Sequence, residues 1–193
     1  MNIKPLPFLL AAALALPAAL PTHAADIDAL ARTCNNCHGV DGVSAGGSMP
    51  SIGGQPEVFL NKIMLEWKRG ERAAASMNRL IKGYSDEQIA ALAKYYAAKP
   101  WKAQVQSASA EVLSKGKDAT ERCENCHGVT GSEPNDDETP RLHGQTVKYM
   151  ELEMNKYRDE AFLVTHRKMR NSALKMEAEE VLPAVQYYGA QAK

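Results

Sequence analysis

Two stretches of the sequence decide how it folds: CNNCHGVDG at residues 34–42 and CENCHGVTG at residues 123–131, which start 89 positions apart. A second pair repeats at almost the same spacing, since PSIGGQ at residues 50–55 returns as PRLHGQ at residues 140–145. Self-similarity at a fixed period indicates that one structural unit is written twice. The sequence therefore predicts two similar domains in tandem.

The boundaries of the two domains follow from the repeat. We expect the first domain at residues 25–99 and the second at residues 110–193, joined by a linker at residues 100–109. Pro100 closes the first copy, because a helix rarely continues into a proline.

Each copy has the apolar spacing of three helices, which predicts an all-α fold, and no stretch alternates as a strand would. In the first copy, the middle helix has an apolar stripe at i, i+3, i+4 spacing made of Leu60, Ile63, Met64 and Trp67. A third helix opens at a capping box formed by Ser85 and Gln88 and ends near Tyr95-Tyr96, with the counterpart pair at Tyr187-Tyr188. Two helical units of this size have thin cores and usually need a staple or a cofactor.

The cysteine spacing indicates what that cofactor is. On a helix, positions i, i+3 and i+4 share a face, so Cys34, Cys37 and His38 point the same way, as do Cys123, Cys126 and His127. Two thiols can then bond the vinyl groups of a haem while the imidazole reaches the iron, which is c-type attachment. The sequence predicts two covalently bound haem c groups, with His38 and His127 as iron ligands.

Three other interpretations of the cysteine pairs were weighed. A zinc site would need two pairs about 15–20 residues apart, and these pairs are separated by most of a domain. A thioredoxin-like dithiol would need a βαβ context. A structural disulfide explains neither the histidine nor the repeat.

The second ligand of each iron is predicted from the alignment of the last helices, which places Met77 and Met169 at equivalent positions, 92 residues apart. A thioether paired with an imidazole raises the reduction potential and suits an electron carrier. In the second copy, Met176 and His166 are alternatives to Met169, and His143 lies in the nearby Gly-Gln loop. Most other methionines lie on helix stripes, where packing explains them.

Two side chains of the first copy were considered as partners for a haem propionate. Trp67 and Arg72 lie where a propionate could be met. An alternative interpretation fits equally well, in which Trp67 packs in the core and Arg72 is solvated.

The N-terminus predicts export. Lys4 precedes an apolar run at residues 6–20, and small residues at positions 22 and 24 fit cleavage after Ala24, so residues 1–24 are expected to be a signal peptide and the protein periplasmic. No later stretch is apolar enough to span a membrane. Twenty-three basic residues balance 23 acidic residues, and this lack of basic bias gives no reason to expect a nucleic-acid partner.

The residues quoted above, with the two Pro-x-x-x-Gly-Gln segments and the Tyr-Tyr endings, resemble the dihaem class I cytochromes of the cytochrome c4 family over essentially the whole mature chain. The resemblance implies His/Met ligation of both irons. It also implies that the carbonyl groups of Pro50 and Pro140 orient the ligand histidines.

A narrower resemblance is to the dihaem cytochrome subunit of flavocytochrome c sulfide dehydrogenase, carried by MNRLIKGYS at residues 77–85. In that enzyme a separate flavoprotein subunit oxidises sulfide and passes the electrons to the haems.

These observations predict an electron carrier that moves one electron at a time, rather than an enzyme, because no catalytic constellation stands out. Two functions remain open: the electron-accepting subunit of a flavoprotein sulfide dehydrogenase, and a free shuttle to a terminal oxidase. A dihaem peroxidase is a third hypothesis and would need one iron with a displaceable ligand.

Overall fold

The computed structural model describes residues 26–193, which contain eight α-helices and no strand. The prediction of an all-α fold is confirmed. The predicted signal peptide, residues 1–24, lies outside the described residues. The helices are α1 (Ile27–His38), α2 (Glu57–Arg69), α3 (Met77–Leu80), α4 (Asp86–Ala97), α5 (Ala110–His127), α6 (Val147–Arg158), α7 (Arg167–Leu174) and α8 (Ala178–Gly189). None of them is long and apolar enough to cross a membrane.

Each copy has one helix more than the three that were predicted. The additional helices, α3 and α7, have four and eight residues and lie between the second and the last long helix of each copy. Periodicity missed them because one or two turns show too few repeats of an apolar stripe.

The ends of the longer helices follow from local chemistry. The capping box of Ser85 and Gln88 is confirmed at the start of α4. Gly70 ends α2 in the left-handed conformation, as glycine readily does. In the second copy Glu177 and Glu180 form the capping box of α8, a pair that sequence reasoning overlooked because glutamate is an unusual N-cap residue.

Each copy has a small core of its own. In the first, Ala31 of α1 and Leu60 of α2 pack against α4 at Leu92, Ala93 and Tyr96. In the second, Met150 of α6 packs against the end of α8 around Val185, Tyr187 and Tyr188. In both copies the last helix is therefore the element against which the others pack.

Helices α5 and α8 approach closely at Gly116. A Cβ atom at this position would lie 2.3 Å from the carbonyl oxygen of Pro183 and 2.7 Å from Cβ of Tyr187. Real Cβ atoms do not tolerate such distances, so the absence of a side chain permits this packing.

We expect Gly116→Ala to destabilise the haem-loaded protein by about 1–3 kcal/mol, because overcrowding outweighs the roughly 1 kcal/mol that alanine gains over glycine in a helix. Gly83→Ala is the matched control, since a Cβ there would meet nothing within 4 Å. Urea denaturation followed by circular dichroism measures both. Equal stability of the two variants would show that α5 and α8 can separate without cost.

The two copies contact each other through buried polar groups. The Arg72 guanidinium, only 5% exposed, donates to the Tyr157 hydroxyl at 2.9 Å and to the Glu153 carboxylate at 3.3 Å. Thr165 donates its hydroxyl proton to the buried Glu66 carboxylate at 2.7 Å. Because a buried charge is costly without a partner, these contacts hold the copies in one orientation.

The segment between α4 and α5 has no regular secondary structure and is hydrogen-bonded to the second copy. Trp101 Nε1 donates to the carbonyl of His143 at 3.1 Å, and the backbone N–H of Gln104 donates to Gly144 at 2.7 Å. The boundaries predicted for the linker, residues 100–109, remain a prediction. The segment itself packs along the domain that it precedes.

Candidate haem-binding sites

His38 is the last residue of α1 and is buried. Its Nδ1–H donates to the carbonyl oxygen of Pro50 at 2.9 Å. Gly39 makes this possible, because its φ of 78° turns the chain sharply and a Cβ there would collide with the Val43 carbonyl. Burial lowers the pKa of His38, which favours the neutral imidazole. With the proton on Nδ1, the lone pair on Nε2 is available to a metal.

His127 at the end of α5 repeats this arrangement. It is buried, and its Nδ1–H donates to the carbonyl oxygen of Pro140 at 3.0 Å. Burial again lowers the pKa of the imidazole. The hydrogen bonds that the family resemblance led us to expect from Pro50 and Pro140 are therefore both present.

The four cysteines lie within the last turns of the same helices, and no disulfide joins any two of them. Cys34 and Cys123 are partly buried, whereas Cys37 and Cys126 are exposed. In each pair, the cysteine nearer the start of the helix is therefore the more enclosed of the two.

One exposed valine follows each pair. Val40 and Val129, at equivalent positions directly after the two Cys-x-x-Cys-His-Gly stretches, are 76% and 53% exposed. An exposed valine next to an exposed cysteine provides an apolar contact point close to the edge of a haem attached there.

The residues present fit haem. Trp67 Nε1 and Arg170 Nε are buried donors without a hydrogen-bond partner among residues 26–193, and an anionic oxygen would satisfy either of them. Arg170 lies one residue after Met169 on α7. Arg72, also considered for a propionate, instead pairs with Glu153 and Tyr157 across the domain contact.

The two methionines predicted as ligands occupy the two short helices. Met77 is the first residue of α3 and Met169 the third of α7, and both are partly buried. They thus lie on equivalent elements of the two copies.

The alternatives to Met169 have other partners. His166 caps α7 by accepting the backbone N–H of Met169 on Nδ1 at 3.2 Å, which leaves the proton on Nε2 and no lone pair there for a metal. Met176 is buried in a core cluster with Ala119 and Ala184. His143 donates from Nδ1 to the carbonyl of Gly131 at 3.3 Å.

Sequence reasoning noticed the two Gly-Gln segments but assigned no role to their glutamines. Gln55 and Gln145 are buried and each contacts the other copy, Gln55 at Arg141 and Gln145 at Ser51. The signal that would have found them is the repetition of a polar side chain at a position predicted to be a loop.

Comparison with known proteins agrees with this arrangement, although a scan against protein-family models matched none. Cytochrome c4 of Pseudomonas aeruginosa is 30% identical over 138 residues, which cover 68% of this chain and 69% of that protein. The cytochrome subunit of sulfide dehydrogenase from Chlorobaculum tepidum is 34% identical over 82 residues, 42% of this chain and 74% of that protein.

A solved structure shares the fold. The crystal structure of reduced recombinant cytochrome c4 from Pseudomonas stutzeri matches with a TM-score of 0.76 at 22% sequence identity, over 86% of this chain and 98% of that chain. The prediction of two tandem class I cytochrome c domains is thereby confirmed, and so is the prediction of two haem groups. From its own repeat, its fold and these relatives, the chain belongs to the cytochrome c4 family, the dihaem c-type cytochromes that act as electron carriers rather than enzymes.

Proposed function

We propose that this cytochrome accepts electrons from a periplasmic flavoprotein that oxidises sulfide. The observation that carries the proposal is the pairing of two equivalent histidine sites, His38 and His127, in domains that are bound to each other. Oxidation of sulfide to the level of elemental sulfur releases two electrons, and two haems take up one each. The similarity to the cytochrome subunit of a sulfide dehydrogenase supports this choice of donor.

The protein's residues have defined tasks in this role. Haem supplies the one-electron couple, and Cys34, Cys37, Cys123 and Cys126 attach it. The Pro50 and Pro140 carbonyls keep the two imidazoles in one orientation and one tautomer. A ligand that is held rigidly moves little when the charge on the metal changes, so electron transfer requires little rearrangement of the protein.

We further propose His38 with Met77, and His127 with Met169, as the iron ligands. For the second site, the cap made by His166 and the packing of Met176 leave Met169 as the side chain with no other task. Residues 1–24 would direct export and be removed, which places haem attachment in the periplasm.

Replacing Met169 tests the second ligand pair. Met169→Ala should remove about half of the thioether-to-iron charge-transfer absorption of the oxidised protein and lower the potential of one haem, because a Met/His pair raises the potential. Near-infrared absorption and a redox titration measure these effects.

Met176→Ala is the matched control for this experiment. It should leave the absorption unchanged and destabilise the protein by about 2–5 kcal/mol, as expected for the loss of a buried side chain. The reverse result, with the absorption halved in Met176→Ala and intact in Met169→Ala, would make Met176 the ligand.

The donor is tested on the native protein. We expect mild purification from the periplasm to yield two haems per chain together with a flavin-containing subunit, and sulfide to reduce both haems in that complex. The control is the same cytochrome separated from its partner, which should be reduced far more slowly at the same sulfide concentration. Equal rates with and without the partner would contradict the proposal.

A free shuttle to a terminal oxidase is the second candidate. It is favoured by the extent of the similarity to cytochrome c4, which covers 138 residues against 82 for the sulfide dehydrogenase subunit. Two haems per chain without flavin or a co-purifying subunit would select this function.

A further inference from the structure

The peptide group between Pro50 and Ser51 in the first domain makes a hydrogen bond through its carbonyl and another through its N–H. The carbonyl of Pro50 accepts the Nδ1–H of His38 at 2.9 Å. The N–H of Ser51, which belongs to the same peptide plane, donates to Oε1 of Gln145 at 2.9 Å. Because Gln145 lies in the second domain, that domain contacts the peptide that orients the haem ligand of the first.

The second domain has the same arrangement with the roles exchanged. The carbonyl of Pro140 accepts the Nδ1–H of His127 at 3.0 Å, and the N–H of Arg141 in the same peptide donates to Oε1 of Gln55 at 2.8 Å. Gln55 lies in the first domain. The contact is therefore reciprocal, and each domain supports the ligand of the other.

Each glutamine is held by further hydrogen bonds, and Oε1 of Gln145 also accepts the backbone N–H of Thr146 at 2.9 Å. Gln145 donates from Nε2 to the carbonyl of Ser51 at 2.8 Å, and Gln55 donates from Nε2 to the carbonyl of Arg141 at 3.0 Å. Both side chains are buried, at 2% and 4% exposure. Two bonds to one residue fix the direction of the amide, so Oε1 remains aimed at the peptide N–H.

This geometry has an electrostatic consequence. An acceptor on the N–H of a peptide polarises the group and makes its carbonyl oxygen a stronger acceptor, an effect that is larger away from water. A stronger acceptor for Nδ1–H makes the imidazole more basic, which favours the oxidised iron bound to Nε2.

We propose that Gln55 and Gln145 are crossed positioning residues, each of which sets the orientation and basicity of the haem-ligating histidine in the opposite domain. The proposal rests on His38 and His127 as iron ligands and is independent of the identity of the electron donor. It links the two haem sites through one side chain and one peptide in each direction.

The test uses the haem-loaded variants Gln145→Leu and Gln55→Leu. The Nδ1–H signals of the ligand histidines are recorded by ¹⁵N nuclear magnetic resonance in the reduced, diamagnetic protein, and both reduction potentials are measured by voltammetry. Gln145→Leu should move the His38 signal and raise the potential of the first haem, changing its reduction equilibrium by about twofold, since polarisation alters an adjacent hydrogen bond by a fraction of its strength. Gln55→Leu should act in the same way on His127 and the second haem.

Thr146→Val is the matched control. The Thr146 hydroxyl donates to the carbonyl of Met49 across the same contact between the domains at 3.1 Å. This carbonyl belongs to the peptide that precedes the Pro50–Ser51 peptide, and it also accepts from the Ser44 hydroxyl. This variant loses a hydrogen bond between the domains without touching the Pro50–Ser51 peptide. It should lower stability and leave both histidine signals and both potentials in place.

The crossed pattern decides the outcome. The proposal is overturned if Gln145→Leu shifts the reduction potential of the second haem alone, shifts both potentials equally or shifts neither. If Gln145→Leu does not retain two haems, Gln145→Met keeps the length of the side chain without an acceptor oxygen and is judged by the same pattern. Gln145→Glu should restore the His38 signal at acidic pH, where the neutral carboxylic acid can make both hydrogen bonds.

Failure of the ligand assignment would be visible separately. A His38 ring signal in the unaltered protein without the large shift caused by a bound haem would refute His38 as a ligand before any variant is made.

Discussion

The hydrogen bond from a buried histidine to a proline carbonyl is the interaction around which each half of this cytochrome is organised. It joins the end of a long helix, at His38 or His127, to the loop that follows, and it keeps the proton on Nδ1, which leaves Nε2 free to bind a metal. The helix places the two cysteines on the same face as the histidine. The loop in turn carries the residue that contacts the other domain.

The small cores explain why so much depends on this arrangement. Eight hydrophobic residues are buried in the first copy and nine in the second, and cores of this size give a small helical unit little stability of its own. Haem supplies apolar surface that the sequence does not contain. The remaining cohesion comes from the contact between domains, where the buried Arg72 pairs with the half-buried Glu153 and Tyr157.

The contact between the domains also has a functional side. It joins the domains at the loops whose proline carbonyls accept from His38 and His127, so each of these loops is bonded to both domains. The buried hydrogen bonds of Gln55 and Gln145 hold the two haem domains in one orientation.

Much of the fold and of the proximal half of each site was predictable from the sequence. In each copy the two cysteines and the histidine, His38 or His127, lie three or four positions apart on one helix, and such spacing is read directly from the sequence. The short helices around Met77 and Met169 were not predicted, because one or two turns leave no periodic signal. The partners of Arg72 and of the two glutamines were decided by the tertiary structure alone. They lie more than 80 residues away in the chain, and only the packing of one domain on the other brings them within hydrogen-bond distance.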